Sequence, residues 1–452
     1  MRKLIAITAL LAVIFGTALW AESPAEKAMA LVKSGESWRE RGDVDKAIAD
    51  FTQALSADPT CIDAFINRAH AYFGKDDYDR AVADYSSAVA IDPTNAECYR
   101  FRGITWSWKD DYDRAIVDLT KAIELDPRFL KAYRNRASAW ESKGNYDKAF
   151  ADYDAAIGID PADGEMLYKR GYIWYLRNEY DKAIADCTKA IEADPMTSVA
   201  YRNRGLAWKA KQEYDKAIAD YDKAIQLDPR SPENYYNRAV ARTWKDEFEQ
   251  AVADYSAAIE INPVYMNAYH NRATASKILE SYDGALVDYT WAIEIDPTDA
   301  DVYHDRGIIW SIKKDWSRAI TDYSRALALN PRLAEAMNRR GAAWSWKDNF
   351  DEAIADYTRA IEIDPELALA YQNRGLARFA KKEYDLAIAD HTRAIGIDPT
   401  YAAAYVARGE CHEKKGDLKM AVDDTTHALT IDPKNSPAQE QLERLKGNLG
   451  GG

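Results

Sequence analysis

Residues 198–231 read SVAYRNRGLAWKAKQEYDKAIADYDKAIQLDPRS. The stretch closes on Asp228-Pro229, and an Asp-Pro or Asn-Pro step returns every 34 residues along the chain. The prolines are Pro59, Pro93, Pro127, Pro161, Pro195, Pro229, Pro263, Pro297, Pro331, Pro365, Pro399 and Pro433, twelve in register. A fixed period of this size means one small unit stacked many times, each too small to bury its apolar face alone. A chain of 452 residues would ordinarily suggest several domains. Here the units 28–61, 62–95, 96–129, 130–163, 164–197, 198–231, 232–265, 266–299, 300–333, 334–367, 368–401 and 402–435 use nearly all of it.

Numbering each unit from 1 to 34, so that Pro229 is position 32, shows what repeats. Position 8 is always Gly or Ala, and positions 20 and 27 are Ala in every unit, as at Gly205, Ala217 and Ala224. Position 4 is mostly Tyr, position 11 often Trp, and positions 17 and 24 mostly aromatic, as at Tyr201, Trp208, Tyr214 and Tyr221. Positions 4, 8 and 11 make one stripe at helical spacing, and 17, 20, 24 and 27 make another. A polar break such as Lys143-Gly144-Asn145 separates them. Each unit is therefore two helices joined by a tight turn, with small residues as holes and aromatics as knobs. The Asp-Pro step predicts an Asp that caps the next helix and a Pro at its first residue.

These positions resemble the tetratricopeptide repeat (TPR) family over residues 28–435. The resemblance implies an all-α fold: a right-handed α-solenoid, or superhelix, of helix-turn-helix units whose first helices line a concave groove. After the twelfth unit, Ser436-Pro437-Ala438-Gln439 reads as a capping box opening a capping helix over 436–446. Such a helix would cover the last apolar face, as arrays require. Residues 22–27 read as a short linker and 447–452 as a disordered tail.

One departure from the family pattern is informative. Position 7, usually apolar in the family, is Arg68, Arg102, Arg136, Arg170, Arg204, Arg238, Arg272, Arg306, Arg340, Arg374 and Arg408. Position 23 is Asp50, Asp84, Asp118, Asp152, Asp186, Asp220, Asp254, Asp288, Asp322, Asp356, Asp390 and Asp424. Folding the hairpin about position 15 brings the two level, which predicts a structural ladder of Arg–Asp ion pairs. The sequence leaves open whether each pair closes within a unit or to the next. Each scheme leaves one orphan, Asp50 or Asp424.

The resemblance places groove-lining residues at positions 2, 5, 6, 9, 12 and 13. Position 6 is Asn67, Asn135, Asn203, Asn237, Asn271 and Asn373 in half the units. A spaced row of Asn offers donors and acceptors to an extended peptide backbone. Tyr168, Tyr172 and Tyr175 follow i, i+4, i+7 on the same face, Tyr236 holds position 5, and Trp108, Trp244 and Trp346 recur at position 13. Aromatic anchors with polar tips suit binding patches. Position 2 is acidic in six units, from Asp63 to Glu335, which reads mainly as a solvated face. The family's carboxylate clamp is absent, its nearest matches being Arg134/Ser138 and Arg202/Leu206.

Arg2 and Lys3 followed by the uncharged run Leu4–Ala21 read as a secretory signal over residues 1–21, cleaved after Ala21. Cleavage after Ala18 and an uncleaved anchor are the alternatives. All three place the repeats outside the cytoplasm, in the periplasm, bound to the cell envelope, or secreted. The net charge of −14, without a basic cluster, argues against nucleic acid as a partner. Any membrane link would run through the N-terminal segment alone. Cys61, Cys98, Cys187 and Cys411 hold four different repeat positions and form no CxxC pair, so neither zinc nor a structural disulfide is expected. The six histidines scatter; His270 and His304 share position 5, and His391 replaces a core aromatic. No phosphate loop, serine elbow or HExxH motif is present. The expectation is a non-enzymatic protein without metal or cofactor. It would hold an extended segment of a protein or peptide partner in its groove. The alternative is a structural or self-associating array.

Overall fold

The computed structural model describes residues 23–450. The expected signal over 1–21 lies outside them. Among the described residues there are 25 helices and no strand, paired in sequence order as hairpins. The chain divides into two compact units at Leu227/Asp228. The first holds the helix pairs of repeats 1 to 6, and the second holds those of repeats 7 to 12 and a final helix. The architecture is an all-α repeat solenoid.

Repeat 6 shows the local logic. Its first helix spans Ser198–Ala210 and its second Tyr214–Leu227. Between them Gln212, at position 15, takes a left-handed φ of 62°. Position 15 is left-handed in all twelve repeats, yet only Gly42, Gly144 and Gly416 are glycine there. The residue reverses the chain so that the next N–H, that of Glu213, reaches back to the Trp208 carbonyl at 3.0 Å. At position 16, Asp43, Asp77, Asp111, Asn145 and Asp315 cap the second helix through their side chains.

The Asp-Pro step works differently from the expectation. Asp58 and its equivalents end the second helix in an extended conformation, as the following proline demands. Each side chain then accepts the N–H two residues on, closing a turn over the proline in all twelve repeats. The next helix starts later, at position 1, with position 34 as its N-cap.

Small residues let the helices approach. The alanines at positions 20 and 27 are fully buried, and so are the tyrosines at position 24. A Cβ on Gly205 would stand 2.7 Å from the Tyr221 ring, and one on Gly341 2.8 Å from Tyr357. These rings fill the holes that the glycines leave.

The ion-pair ladder closes within each repeat. Arg204 donates from Nε to one Asp220 oxygen at 2.9 Å and from Nη2 to the other at 2.7 Å. The same forked geometry recurs from Arg68–Asp84 to Arg408–Asp424. The remaining nitrogen links backward. Arg204 Nη1 donates to Thr188 Oγ1 of the preceding repeat at 3.1 Å, and nine other arginines do the same to Ser, Thr or Asp at that position. One side chain therefore ties three helices. Asp424 is paired, and Asp50, the orphan of this scheme, accepts the Ser34 hydroxyl at 2.6 Å. A second ladder, missed in the sequence, joins position 14 to the position-18 Asp of the preceding repeat, as Lys313 to Asp283 at 2.8 Å. Its aspartates are mostly solvated, so each pair adds little to stability.

Both ends differ from the expected boundaries. The first helix begins at Pro24, so most of the linker 22–27 is helical. Ser23 and Glu26 form a capping box around Pro24, and that motif is present in the sequence. The last helix runs Ser436–Gly450, so residues 447–450 continue it instead of joining a disordered tail. Its cap is Asn435, whose side chain accepts from the Ala438 N–H at 3.1 Å; Ser436 is already helical.

Candidate partner-binding face

The second helices carry most of the buried alanines, so the polar variation of each repeat falls on the first helix. Positions 5, 6, 9, 12 and 13 of these helices form the face on which the sequence placed its candidates.

The asparagine row sits there, but it mainly joins neighbouring repeats. Asn203 Nδ2 donates to the Tyr168 carbonyl at 3.2 Å, Asn271 Nδ2 to the Tyr236 hydroxyl at 3.0 Å, and Asn373 Nδ2 to Asn338 Oδ1 at 3.0 Å. Asn67 Nδ2 donates to Glu36 and to the Asp63 carbonyl. Asn203 is only 5% exposed. Asn135 and Asn237 are half-buried. Four of the six asparagines thus give an amide N–H to the neighbouring repeat.

The tryptophans are outward. Trp108, Trp244 and Trp346 are 63%, 67% and 70% exposed, the large values that mark them as surface rather than core. Trp108 stacks on Tyr78 and Trp346 on Trp316, each the position-17 ring of the preceding repeat. Tyr172 and Tyr175 stack at 6.1 Å and Tyr168 is half-buried beside them. Tyr236 packs on Tyr255 and Tyr265.

In the second unit this face opens into two adjoining hollows that share Ala342 and Trp346. One, of 380 Å³, is lined by Ser345, Phe350, Tyr357, Asn373 and Leu376. The other, of 280 Å³, is lined by Ile308, Ser311, Ile312, Trp316, Tyr323 and Arg339. Ile312 and Leu376 are exposed apolar side chains on their rims. Sequence reading singled out Trp346 and Asn373 but not the isoleucines or Leu376, whose identity at positions 9 and 13 was the available clue.

Two histidines meet one carboxylate. His270 Nε2 lies 2.9 Å from Asp305 Oδ2, and His304 Nδ1 lies 3.9 Å from the other oxygen. Burial pushes the His304 imidazole below its ordinary range. Among the described residues no group of three or more His, Cys, Asp or Glu could hold a metal ion.

Tetratricopeptide repeat models match residues 29–60, 62–95, 109–164, 160–196, 198–231, 334–367, 368–401 and 402–435. Together these matches span more than half of the chain. The chain belongs to the tetratricopeptide repeat family. No curated protein sequence matches it. Among solved structures, the APC/C Cut9-Hcn1 hetero-tetramer aligns over 94% of this chain and 98% of its own, at 15% identity and a TM-score of 0.44. A TPR protein from Parabacteroides merdae aligns over 55% of this chain and 98% of its own, at 19% identity and a TM-score of 0.43. YrrB, a TPR protein with an unusual peptide-binding site, aligns over 41% of this chain and 95% of its own, at 24% identity and a TM-score of 0.38. Repeats of this family serve protein–protein interaction, and that coarse role holds for this chain.

Proposed function

We propose that this TPR protein holds an extended segment of a partner on its first-helix face. The observation that carries the reading is the pair of hollows around Trp346. Exposed Ile312, Trp346 and Leu376 stand over an apolar floor with hydroxyl and amide groups at its edge. Apolar concavities with a few placed polar groups are what binding sites look like. Export accompanies this reading, supported by the Arg2-Lys3 start and the uncharged run to Ala21. A mature N-terminus at Glu22, found by N-terminal sequencing, checks it.

The test is a variant with Ile312, Trp346 and Leu376 all changed to Ser. These side chains are exposed, so helicity by circular dichroism should not change. The partner recovered by crosslinked pull-down with the wild type should be lost. Undiminished recovery would sink the groove reading. Self-association is the second reading, favoured by Val287 and Trp291, exposed one turn apart on the second helix of repeat 8. A concentration-dependent mass that Trp291→Lys abolishes would support it.

A further inference from the structure

Repeat 8 departs from the others on the exposed face of its second helix, Tyr282–Ile295. In most repeats that face carries Lys or Arg at position 19 or 26, as Lys216 and Lys223 do in repeat 6. Repeat 8 has Gly284 and Trp291 there, with Val287 between them. Val287 and Trp291 are 58% and 49% exposed. The Trp291 indole lies over the Tyr269 ring of the same repeat, centroids 6.4 Å apart, which fixes its orientation. Position 14 is Lys or Arg in every repeat but this one, where it is the exposed Leu279. Glu249, at position 18 of repeat 7, therefore has no ladder cation opposite it, whereas Asp283 of repeat 8 keeps Lys313 at 2.8 Å. An exposed aromatic with an apolar surround and a charged rim has the make-up of a protein interface.

The rim has a direction. Repeat 7 presents Glu249 and Glu260 on one side of the patch, and repeat 9 presents Arg318 and Arg325 on the other, all four exposed. Arg318 has only a long contact of 3.5 Å to Asp315. Acid on one side and base on the other make the surface complementary to itself. A two-fold contact uses the same patch on both copies. With the repeats running parallel, it would set acid on acid and base on base. With the repeats antiparallel, repeat 7 of each copy meets repeat 9 of the other, acid on base. The levels agree: Glu249 and Arg318 hold positions 18 and 19, and Glu260 and Arg325 hold 29 and 26, one helical turn apart.

We propose that a second copy of this chain covers the repeat 8 patch in an antiparallel two-fold dimer, with Trp291 against Trp291 at the axis and Arg318 and Arg325 of each copy facing Glu249 and Glu260 of the other. The dimer rests on the self-association reading above, with its face, orientation and ionic contacts now specified. It uses second helices, so the hollows around Trp346 stay open on both copies. Such a particle holds two partner segments at once, which raises avidity for a partner with repeated segments.

The test is the mass of the full chain by sedimentation over a range of concentrations. The wild type should rise to two chains and stop. Arg318→Glu with Arg325→Glu makes both rims acidic, and Glu249→Arg with Glu260→Arg makes both basic. Each double variant should dimerise at least about tenfold more weakly, with unchanged helicity by circular dichroism. An equimolar mixture of the two should dimerise like the wild type, because acid then meets base on both rims. No recovery on mixing, variants that dimerise like the wild type, or a mass that grows past two chains each overturn the dimer. If Trp291→Lys abolishes association while the charge reversals leave it alone, self-association stands and this two-fold falls. A wild type that is monomeric at every concentration overturns both.

Discussion

Arg204 fills both oxygens of Asp220 and the Thr188 hydroxyl at once, and the pair is nearly dry, with the aspartate side chain 9% exposed. The hydrogen bonds to Asp220 raise the guanidinium pKa, while burial pushes the Asp220 carboxyl up against Arg204's pull. Arg204→Ala strands that carboxylate, and the expected cost is about 3 kcal/mol in urea unfolding. A loss below about 0.5 kcal/mol would reduce the ladder to decoration. The Arg–Asp pairing was legible because charges recurred at positions where apolar residues belong. The backward link was not, because Ser, Thr or Asp one turn along a helix looks like ordinary surface. His391 sets a pH dependence at the same scale. Burial first, and then Arg408, hold its imidazole down to about 4 from an ordinary 6.5. Below pH 6.5 the unfolded chain takes a proton that the folded one refuses. Stability is therefore fully present above that pH and declines as pH falls toward 4, by roughly 1.4 kcal/mol per unit from this group. His391→Tyr restores the ring found at Tyr357 and should flatten the dependence in the second unit. Equal stability in chemical denaturation at pH 5 and 7 would contradict it.

Each hairpin turns on one left-handed residue, and nine of the twelve are not glycine, among them Gln212, Lys314 and Lys382. A side chain there costs roughly 1–2 kcal/mol, part of which the stiffer unfolded chain returns. Lys314→Gly and Lys382→Gly should each stabilise the second unit by about 0.5–1 kcal/mol in thermal or urea unfolding. Destabilisation by either would mean that the turn is held by the side chain instead. The two helices of each repeat were plain in the stripes at positions 4, 8, 11 and 17, 20, 24, 27. Their ends were less plain. The Asp-Pro step suggested a cap on the following helix, but proline fixes the preceding residue as extended, so the aspartate folds over the turn. Ser23 and Glu26 show the reverse case: a capping box the sequence displayed and the repeat boundary obscured.

Across the molecule, a period kept for twelve units made the solenoid legible before any contact was known. The proposed interaction face was only half legible. Family positions pointed to the first helices, where Trp108, Trp244 and Trp346 are exposed. Four of the six asparagines proved to be bonded between repeats, because an amide on one first helix also lies within reach of its neighbour. The hollows needed the structure, since they arise from how Trp346 and its neighbours stand over Ser345 and Tyr357, not from any one residue type. The most direct test is site-specific photocrosslinking from Leu376 on a first helix and from Leu386 on a second helix, both exposed. The account predicts a partner adduct from Leu376 and none from Leu386. Equal adducts from both, or an adduct from Leu386 alone, would contradict it.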